Sequence, residues 1–399
     1  YQNVVRFYSR FGSCVSVINS RLSVGERFDQ FERAKKGEIS VVIGPRSALF
    51  TPFPNLGLII IDEEHEDSYK SEKTPCYHAR ETAVQRGKME SARVVMGSAS
   101  PSVDSYYRGK AGEYQLLYLN ERYGGKELPE VEIVDLKAEL KTGNRSIFSH
   151  VLTEKLEERL QKKEQSILFL NRRGYTGFVS CRSCGYVVKC PHCDVSLTAH
   201  RNGKMICHYC GYEIPQVKTC PSCGSPYIGG FKAGTQQIET LLKKSFPDAR
   251  ILRMDADTTK NKGGHEKVLS AFAAGEADIL IGTQMIVKGH DFPNVTFVGV
   301  LAADLSLYSE DYRASEKTFQ LLLQAVGRAG RGRKKGEAVI QTYHPEHYSI
   351  LAAAAQDYEA FYQAEIGYRL LMDYPPAAFM TAVRGSCKNE ELLKQAMEY

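Results

Sequence analysis

Residues 56–65 read Leu56-Gly57-Leu58-Ile59-Ile60-Ile61-Asp62-Glu63-Glu64-His65, an apolar run that stops on three acids and a histidine. A short run of branched apolar residues suits a strand buried on both faces, as in a parallel sheet. When such a strand ends in adjacent acids, they lie at the carboxyl edge of the sheet. There α/β nucleotide enzymes hold Mg²⁺ and activate water. In that reading Asp62 holds the Mg²⁺–phosphate unit and Glu63 orients or deprotonates the attacking water. An acidic helix start would put anions in the same place, so the run alone leaves both open.

Outward from this run the rhythm repeats. Stretches 14–18, 40–43, 58–61 and 94–96 read as buried strands, with an amphipathic helix over 25–36. Further on, 166–170, 251–254, 278–281, 295–301 and 339–342 read as strands, with helices near 236–244 and 266–273. The alternation predicts an α/β protein of two parallel-sheet lobes, the first incomplete. Expected boundaries are 1–118 for the first lobe, 119–150 for a polar interlobe connection, and 151–345 for the second lobe. A stretch that is helical over 348–371 opens a C-terminal domain, 346–399. With 399 residues, two or three domains are expected. Hydrophobic content of 43% and charged content of 25% exclude a disordered chain. No apolar run approaches the length of a membrane span. A net charge of +5 is too weak to identify a nucleic-acid partner. The chain opens YQNVVRFYSRFG, without initiator Met or signal-peptide pattern, and reads as beginning inside a domain.

Of 11 cysteines, eight lie between Cys181 and Cys223 as four C-x-x-C knuckles: Cys181/Cys184, Cys190/Cys193, Cys207/Cys210 and Cys220/Cys223. Two thiolates at that spacing address one ion, and two knuckles complete a tetrahedral Zn²⁺ site. A disulfide scaffold would need an oxidising compartment, which nothing in the sequence suggests. Four knuckles pair in three ways. The middle two are 13 residues apart, near ribbon spacing, and the first two only 5. This favours a nested pair, with Cys190, Cys193, Cys207 and Cys210 inside and Cys181, Cys184, Cys220 and Cys223 outside. Eight thiolates saturate two ions, so His192 and His208 are not expected to be ligands. The module, 181–226, interrupts the second lobe between a strand and the rest of its sheet.

A second constellation is Gln324-Ala325-Val326-Gly327-Arg328-Ala329-Gly330-Arg331-Gly332. On a helix Gln324, Arg328 and Arg331 would share one face, and two guanidiniums suit a phosphoryl group's spread charge. A basic surface helix would not need interior glycines, which cost about 1 kcal/mol each. Arg46 and Ser47, after a strand end, can hold a phosphate. Tyr69, Lys70, Tyr77, His78 and Arg80 mix aromatics with cations, a combination that stacks bases and follows a single strand. Tyrosines covering the sheet would look the same. Arg172 could hold phosphate or pair with acids.

Asp62–His65 together with Gln324–Gly332 resemble motifs II and VI of the superfamily 2 helicases. Gly97-Ser98-Ala99-Ser100 resembles motif III, and Gly282-Thr283-Gln284-Met285 through Lys288-Gly289-His290-Asp291 resembles motif V. Phe169 to Tyr175, directly before four knuckles, narrows the resemblance to the primosomal replication-restart helicases, over essentially the whole chain. It implies two RecA-like lobes and ATP-dependent 3′→5′ unwinding at stalled or abandoned forks, with ATP and Mg²⁺ as cofactors. It also supports the nested zinc pairing. Asp62, Glu63, Gln324, Arg328 and Arg331 would be catalytic, and Glu64, His65, Gly289 and Asp291 would join them around the nucleotide. Arg46, Ser47, Tyr69, Lys70, Tyr77, Arg172, Thr283 and Gln284 would meet DNA. Motif III would signal through Ser98 and Ser100, the latter where the family usually has Thr. Cys76 stands where Arg is common, and Ala233-Gly234-Thr235 lacks one glycine of a Gly-x-Gly-Thr turn.

The implied partners are forked and single-stranded DNA, single-stranded-DNA-binding protein and other primosome proteins, with no membrane. A monomer in the bacterial cytoplasm, at the nucleoid, is expected. No G-x-x-x-x-G-K-[ST] loop occurs in the 399 residues; in the family it lies upstream. This stretch alone is therefore expected neither to turn over ATP appreciably nor to unwind DNA. The competing expectations are a zinc-dependent DNA- or protein-binding module on a non-motor scaffold, and a translocase on duplex DNA.

Overall fold

The computed structural model describes residues 2–19, 22–121, 125, 127–170, 179–192, 196–200, 202–208, 210–230, 234–255, 258–259, 263–287, 292–308, 311–381, 385 and 387–398. The chain divides into two compact units, Tyr1–Gly109 and Lys110–Tyr399.

In the first unit α1 (Gln2–Phe11) leads to β1 (Val15–Val17), α2 (Val24–Lys35) and β2 (Val41–Ile43). The expected helix over 25–36 starts at a capping box: Ser23 Oγ accepts from the Glu26 N–H and the Glu26 carboxylate accepts from the Ser23 N–H. Then follow β3 (Leu58–Asp62), α3 (Ala79–Glu90), β4 (Arg93–Gly97) and α4 (Val103–Lys110). Strands β1 and β2 pair parallel, as do β3 and β4. The expectation that all four strands are buried is corrected at β3 and β4. Leu58, Ile60 and Val95 are exposed, because a two-stranded pair cannot cover both its faces.

The second unit carries β5 (Glu130–Asp135), α5 (Leu136–Lys141), α6 (His150–Gln161) and β6 (Gln165–Leu170). The cysteine-rich stretch follows, with β7 (Val179–Cys181), β8 (Thr198–Ala199), β9 (Lys204–Ile206), β10 (Glu213–Pro215) and β11 (Ile228–Gly230). Next come α7 (Thr235–Ser245), β12 (Ile251–Met254), α8 (Gly264–Ala273), β13 (Ile279–Gly282), β14 (Val295–Leu301), α9 (Ala314–Val326) and β15 (Glu337–Thr342). The chain ends with α10 (Tyr348–Ala355), α11 (Tyr358–Leu371) and α12 (Glu390–Glu398).

Six strands form one wholly parallel sheet in the order β12-β13-β6-β14-β15-β5. Every residue of β6, β13 and β14 is buried. Their largely apolar sequences therefore report central strands covered on both faces. Leu152 and Leu156 of α6, Ile238 and Leu242 of α7, and Phe246 pack onto Leu168, Ile279 and Phe297 in one core.

Two boundaries differ from the sequence reading. Stretch 119–150 is not only a connection: Glu130–Asp135 pairs in register with Glu337–Thr342 as the edge strand of the sheet. Its charges hid it, because alternating Glu130, Val131, Glu132, Ile133 reads as an edge strand wetted on one side. The helical stretch 348–371 is two helices broken at Gln356, whose φ of 55° is left-handed. Within the second unit α10 packs on α9.

Because Val134 is buried in this edge strand, Val134→Asp is expected to cost about 3–5 kcal/mol. Glu132→Ala, at an exposed position of the same strand, should stay within about 0.5 kcal/mol. Urea midpoints for the two variants check this; equal, small effects would mean 130–135 is merely a linker.

Candidate metal centres and acidic strand end

Three of the four knuckles fold by one recipe. In each, the first cysteine's N–H bonds a carbonyl five residues on, and the N–H four residues on returns to its carbonyl. The pairs are Cys181→Tyr186 and Gly185→Cys181, Cys207→Tyr212 and Gly211→Cys207, Cys220→Ser225 and Gly224→Cys220, at 2.8–2.9 Å. Position five of each C-x-x-C-G is a glycine with φ of 80°, 75° or 69°. Only glycine takes that left-handed turn without strain.

These turns gather the thiols into two groups with all sulfurs of a group within 4.8 Å: Cys181, Cys184, Cys220 and Cys223, and Cys190, Cys207 and Cys210. Cys193 lies outside the described residues. Sγ–Sγ separations are 3.7 Å for Cys181–Cys223 and Cys184–Cys220, and 3.6 Å for Cys190–Cys210. Four sulfurs about 2.3 Å from a tetrahedral Zn²⁺ would stand about 3.8 Å apart, whereas a disulfide needs about 2 Å. The spacing fits a metal. Electrostatics agree. Burial raises the Cys181 thiol, yet the N–H groups of Cys184 and Ser183 bring it down to about 7. The Ser225 N–H lowers Cys223, but burial and the thiols of Cys184, Cys220 and Cys181 push it up to about 12. Four crowded thiols cannot all ionise at neutral pH without a cation among them. His208 turns instead to His200, Nε2 to Nε2 3.3 Å, and His192 lies edge-on to Tyr212.

The outer knuckle is seated on the sheet. His344 Nε2 meets the Gly185 carbonyl at 3.1 Å, and Arg182 Nε donates to Tyr343 Oη at 3.0 Å. Both partners follow β15 directly. They are held by Asp304, which is buried and accepts from Thr342 Oγ1 at 2.5 Å and from the Tyr343 N–H at 2.9 Å. Nothing in the sequence signals Asp304; only the ends of β14 and β15 lying side by side reveal it.

In the first unit β3 delivers Asp62 to its carboxyl end, where the carboxylate is exposed and accepts from the Glu63 N–H at 3.1 Å. Glu63 has φ of 49°, a left-handed conformation costing about 1–3 kcal/mol in a non-glycine residue. Glu64, the next residue, is turned into the protein. It is buried, and accepts from Arg80 Nη1 at 2.7 Å, the Ser102 N–H at 2.6 Å, Ser102 Oγ at 3.1 Å and Ser105 Oγ at 2.9 Å. Arg80, read as a DNA-loop cation, is therefore an inward partner of Glu64. His65 Nδ1 and Ser98 Oγ share a 2.7 Å hydrogen bond, and Ser98 Oγ accepts from the Ser100 N–H at 3.0 Å. The acidic loop and the 97–100 segment are thus one hydrogen-bonded assembly.

The expected DNA contacts divide. Arg46 Nη1 donates to the carbonyls of Ser68 and Lys70, each at 2.7 Å, and Tyr69 Oη donates to the Asp62 carbonyl at 2.6 Å. Both shape the loop behind the acids. Burial, then the Asp62 charge, push the Tyr69 phenol up to about 12, so it stays a donor. Tyr77 lies edge-on to Phe50 at 5.1 Å, while Lys70 is exposed and Ser47 half-buried. Burial, then Arg80, push His78 down to about 4, and its neutral ring accepts the Arg80 N–H as the cap of α3. Thr283 and Gln284 follow β13 at the carboxyl edge of the sheet. Arg172, Gly289 and Asp291 fall outside the described residues.

The arginine segment is not one helical face. Helix α9 ends at Val326, so Gln324 is helical while Arg328 and Arg331 lie in the turn beyond it. Arg331 Nε donates to the Gly327 carbonyl at 2.9 Å, and Arg328 is buried. The glycines explain the stop. Gly330 has φ of 69° and a Cβ there would sit 2.5 Å from Gly336 N; a Cβ on Gly332 would sit 2.1 Å from the Pro293 carbonyl. They make a compact turn around which backbones touch.

The PriA DNA helicase Cys-rich region matches residues 190–215, and the helicase conserved C-terminal domain matches 230–333. Replication restart protein PriA of Bacillus subtilis (strain 168) is 54% identical over 397 residues, 99% of this chain and 49% of that protein. Its counterpart in Synechocystis sp. is 47% identical, over 98% of this chain and 48% of that protein. In Chlamydia trachomatis serovar D the figures are 46%, 94% and 50%. The chain spans about half the length of these curated relatives.

Two measurements test these sites. Arg80 and the serine donors hold Glu64 below its usual 4.5 although burial raises it. A depressed carboxylate contributes stability above its unfolded value and loses it as pH falls through the folded one. Arg80→Met removes the cation and keeps the burial. It should cost about 3–5 kcal/mol at pH 7 and move acid unfolding, followed by circular dichroism, to higher pH. An unshifted midpoint would mean the pair does not hold the acidic loop. For the thiols, metal analysis of the chain should give one Zn²⁺ for each of the two groups. Cys190→Ser should lose one ion and the amide protection of 196–215, since binding and local folding are coupled; an unchanged metal content would remove Cys190 from the ligands.

Proposed function

Over the half of those proteins that it spans, the chain belongs to the family of replication restart protein PriA, and on that premise we propose that it supplies the hydrolytic and zinc-bearing parts of an ATP-dependent DNA helicase. The intact enzyme would unwind 3′→5′, act at stalled or abandoned forks and start primosome assembly. The observation that carries this reading is the coupled acidic loop. A strained Glu63 beside an exposed Asp62 is braced by Glu64–Arg80–Ser102 and tied through His65 to Ser98 and Ser100. A surface acid pair would need no such bracing; a switch that must report its state to a neighbouring segment would.

Asp62 would hold Mg²⁺ with the nucleotide phosphates, and Glu63 would accept a proton from, or orient, the attacking water. The metal, when bound, neutralises charge developing on the transferred phosphoryl group. Gln324, Arg328 and Arg331 are the proposed catalytic residues of the second unit, with Arg331 aligned by its bond to the Gly327 carbonyl. His65 links the loop to motif III and is not assigned a phosphate contact. Two Zn²⁺ would sit in Cys181/Cys184/Cys220/Cys223 and in Cys190/Cys193/Cys207/Cys210. Lys70, Tyr77, Ser47, Thr283 and Gln284 remain proposed DNA contacts, whereas Arg46 and Tyr69 support them from behind. Single-stranded-DNA-binding protein and primosome proteins are the proposed partners, in the bacterial cytoplasm at the nucleoid.

The absence of a G-x-x-x-x-G-K-[ST] loop from the 399 residues favours a second reading for the chain taken alone: a zinc-dependent binding module without appreciable ATP turnover.

In a protein of the relatives' full length carrying this chain, forked DNA should stimulate ATP hydrolysis. Glu63→Gln should lower that rate by about 10²-fold or more. Background hydrolysis that neither DNA nor the substitution changes would decide for the binding module.

A further inference from the structure

Helix α9 carries Glu316, Gln320 and Gln324 at i, i+4 and i+8, a single stripe that runs toward the turn bearing Arg328 and Arg331. Both Glu316 and Gln320 are buried. Gln320 Nε2 donates to Glu316 Oε1 at 3.3 Å, and Glu316 Oε2 accepts from Arg369 Nη2 at 2.6 Å.

Arg369 belongs to α11, beyond the stretch 230–333 that matches the helicase C-terminal domain. It has no exposed surface. Its Nε donates to Glu365 Oε1 at 2.8 Å and its Nη1 to the Pro375 carbonyl at 3.0 Å. Tyr348 of α10 donates to Glu365 Oε2 at 2.5 Å, and the Tyr312 ring centroid lies 5.2 Å from the guanidinium carbon. Helix α9 and α11 with its following loop therefore meet on one planar fork, and α10 joins them through Glu365.

A buried charge cluster of this kind is a poor source of stability, since apolar residues of similar volume serve as well or better. What a guanidinium fork supplies is direction: each acceptor is held at a fixed angle. Here one arm of the fork reaches α9, at Glu316. Glu316 is fixed by Arg369, its second oxygen orients the Gln320 amide, and Gln324 is the next residue of the stripe.

We propose that Arg369 is a positioning residue for nucleotide hydrolysis, acting through Glu316 and Gln320 to set Gln324, so that the segment after β15 tunes the arginine turn from about three helical turns away. This rests on the reading that Gln324 works at the nucleotide. It makes the 358–371 helix part of the hydrolytic apparatus and not only the beginning of a further domain.

The test uses the full-length protein and forked DNA. Gln320→Leu keeps the volume and leaves the hydrogen bonds of Arg369 to Glu365, Pro375 and Glu316 in place while removing the amide. Zinc content should stay unchanged, the melting temperature within about 3 °C and KM for ATP within about two-fold. The DNA-stimulated kcat should fall about ten-fold or more, because small misplacements of an orienting group are expensive. Replacing Arg369, Glu316 and Glu365 together by Met, Leu and Met should restore a folded protein but not kcat. Full kcat in Gln320→Leu, or in a folded triple variant, overturns the proposal; if the triple variant does not fold, Gln320→Leu decides. Gln324→Ala is the control. If it leaves hydrolysis untouched, the nucleotide reading of Gln324 fails and the proposal falls with it. If it abolishes hydrolysis while Gln320→Leu is silent, only the positioning claim is lost.

Discussion

Burial of the parallel sheet on both faces governs the second unit. Strands β6, β13 and β14 have no exposed residue, so polar chemistry cannot reach their middles without leaving a backbone or side-chain group unsatisfied. It is confined to the strand ends. The cysteine-rich module leaves from the end of β6, Thr283 and Gln284 follow β13, and Asp304 and Tyr343 follow β14 and β15. Asp304 shows how such an edge is made habitable. Burial raises its carboxyl above the usual range, while Thr342 and the Tyr343 N–H oppose that effect. The same contacts hold Tyr343 and His344 where the first knuckle rests. The first knuckle of the module thus rests on the carboxyl edge and shares its foundations.

Charge is used inside both units for geometry. Glu64–Arg80 in the first and Glu316–Arg369–Glu365 in the second are buried pairs with most oxygens occupied. Desolvation offsets much of their attraction. Their value lies in permitting one arrangement only. Around Glu64 that arrangement keeps Glu63 in a left-handed conformation; around Arg369 it locks α11 to α9.

Much of this was readable in the chain. The strand periods, the knuckles and their nested grouping of thiols, and the strand-end acids all come from patterns local enough for a linear scan. What a linear scan could not supply was the set of partners inside the protein. Glu64, Arg80 and Arg46 have the residue types of a ligand site, and packing brings each of them a partner from another part of the chain. Arg328 and Arg331 have helical spacing, but close backbone approach at Gly330 and Gly332 ends the helix first. Segment 130–135 reads as a connection in the sequence because an edge strand needs only one apolar face.

The amino-acid order by itself therefore determined which elements form, that thiols pair for a tetrahedral ion, and which acids end a strand, because these depend on spacings of a few residues. Only the tertiary structure decided which of those charges face outward and which brace the fold. A carboxylate's role is set by what donates to it, and for Glu64, Asp304 and Glu316 the donors lie between 4 and 53 positions away along the chain.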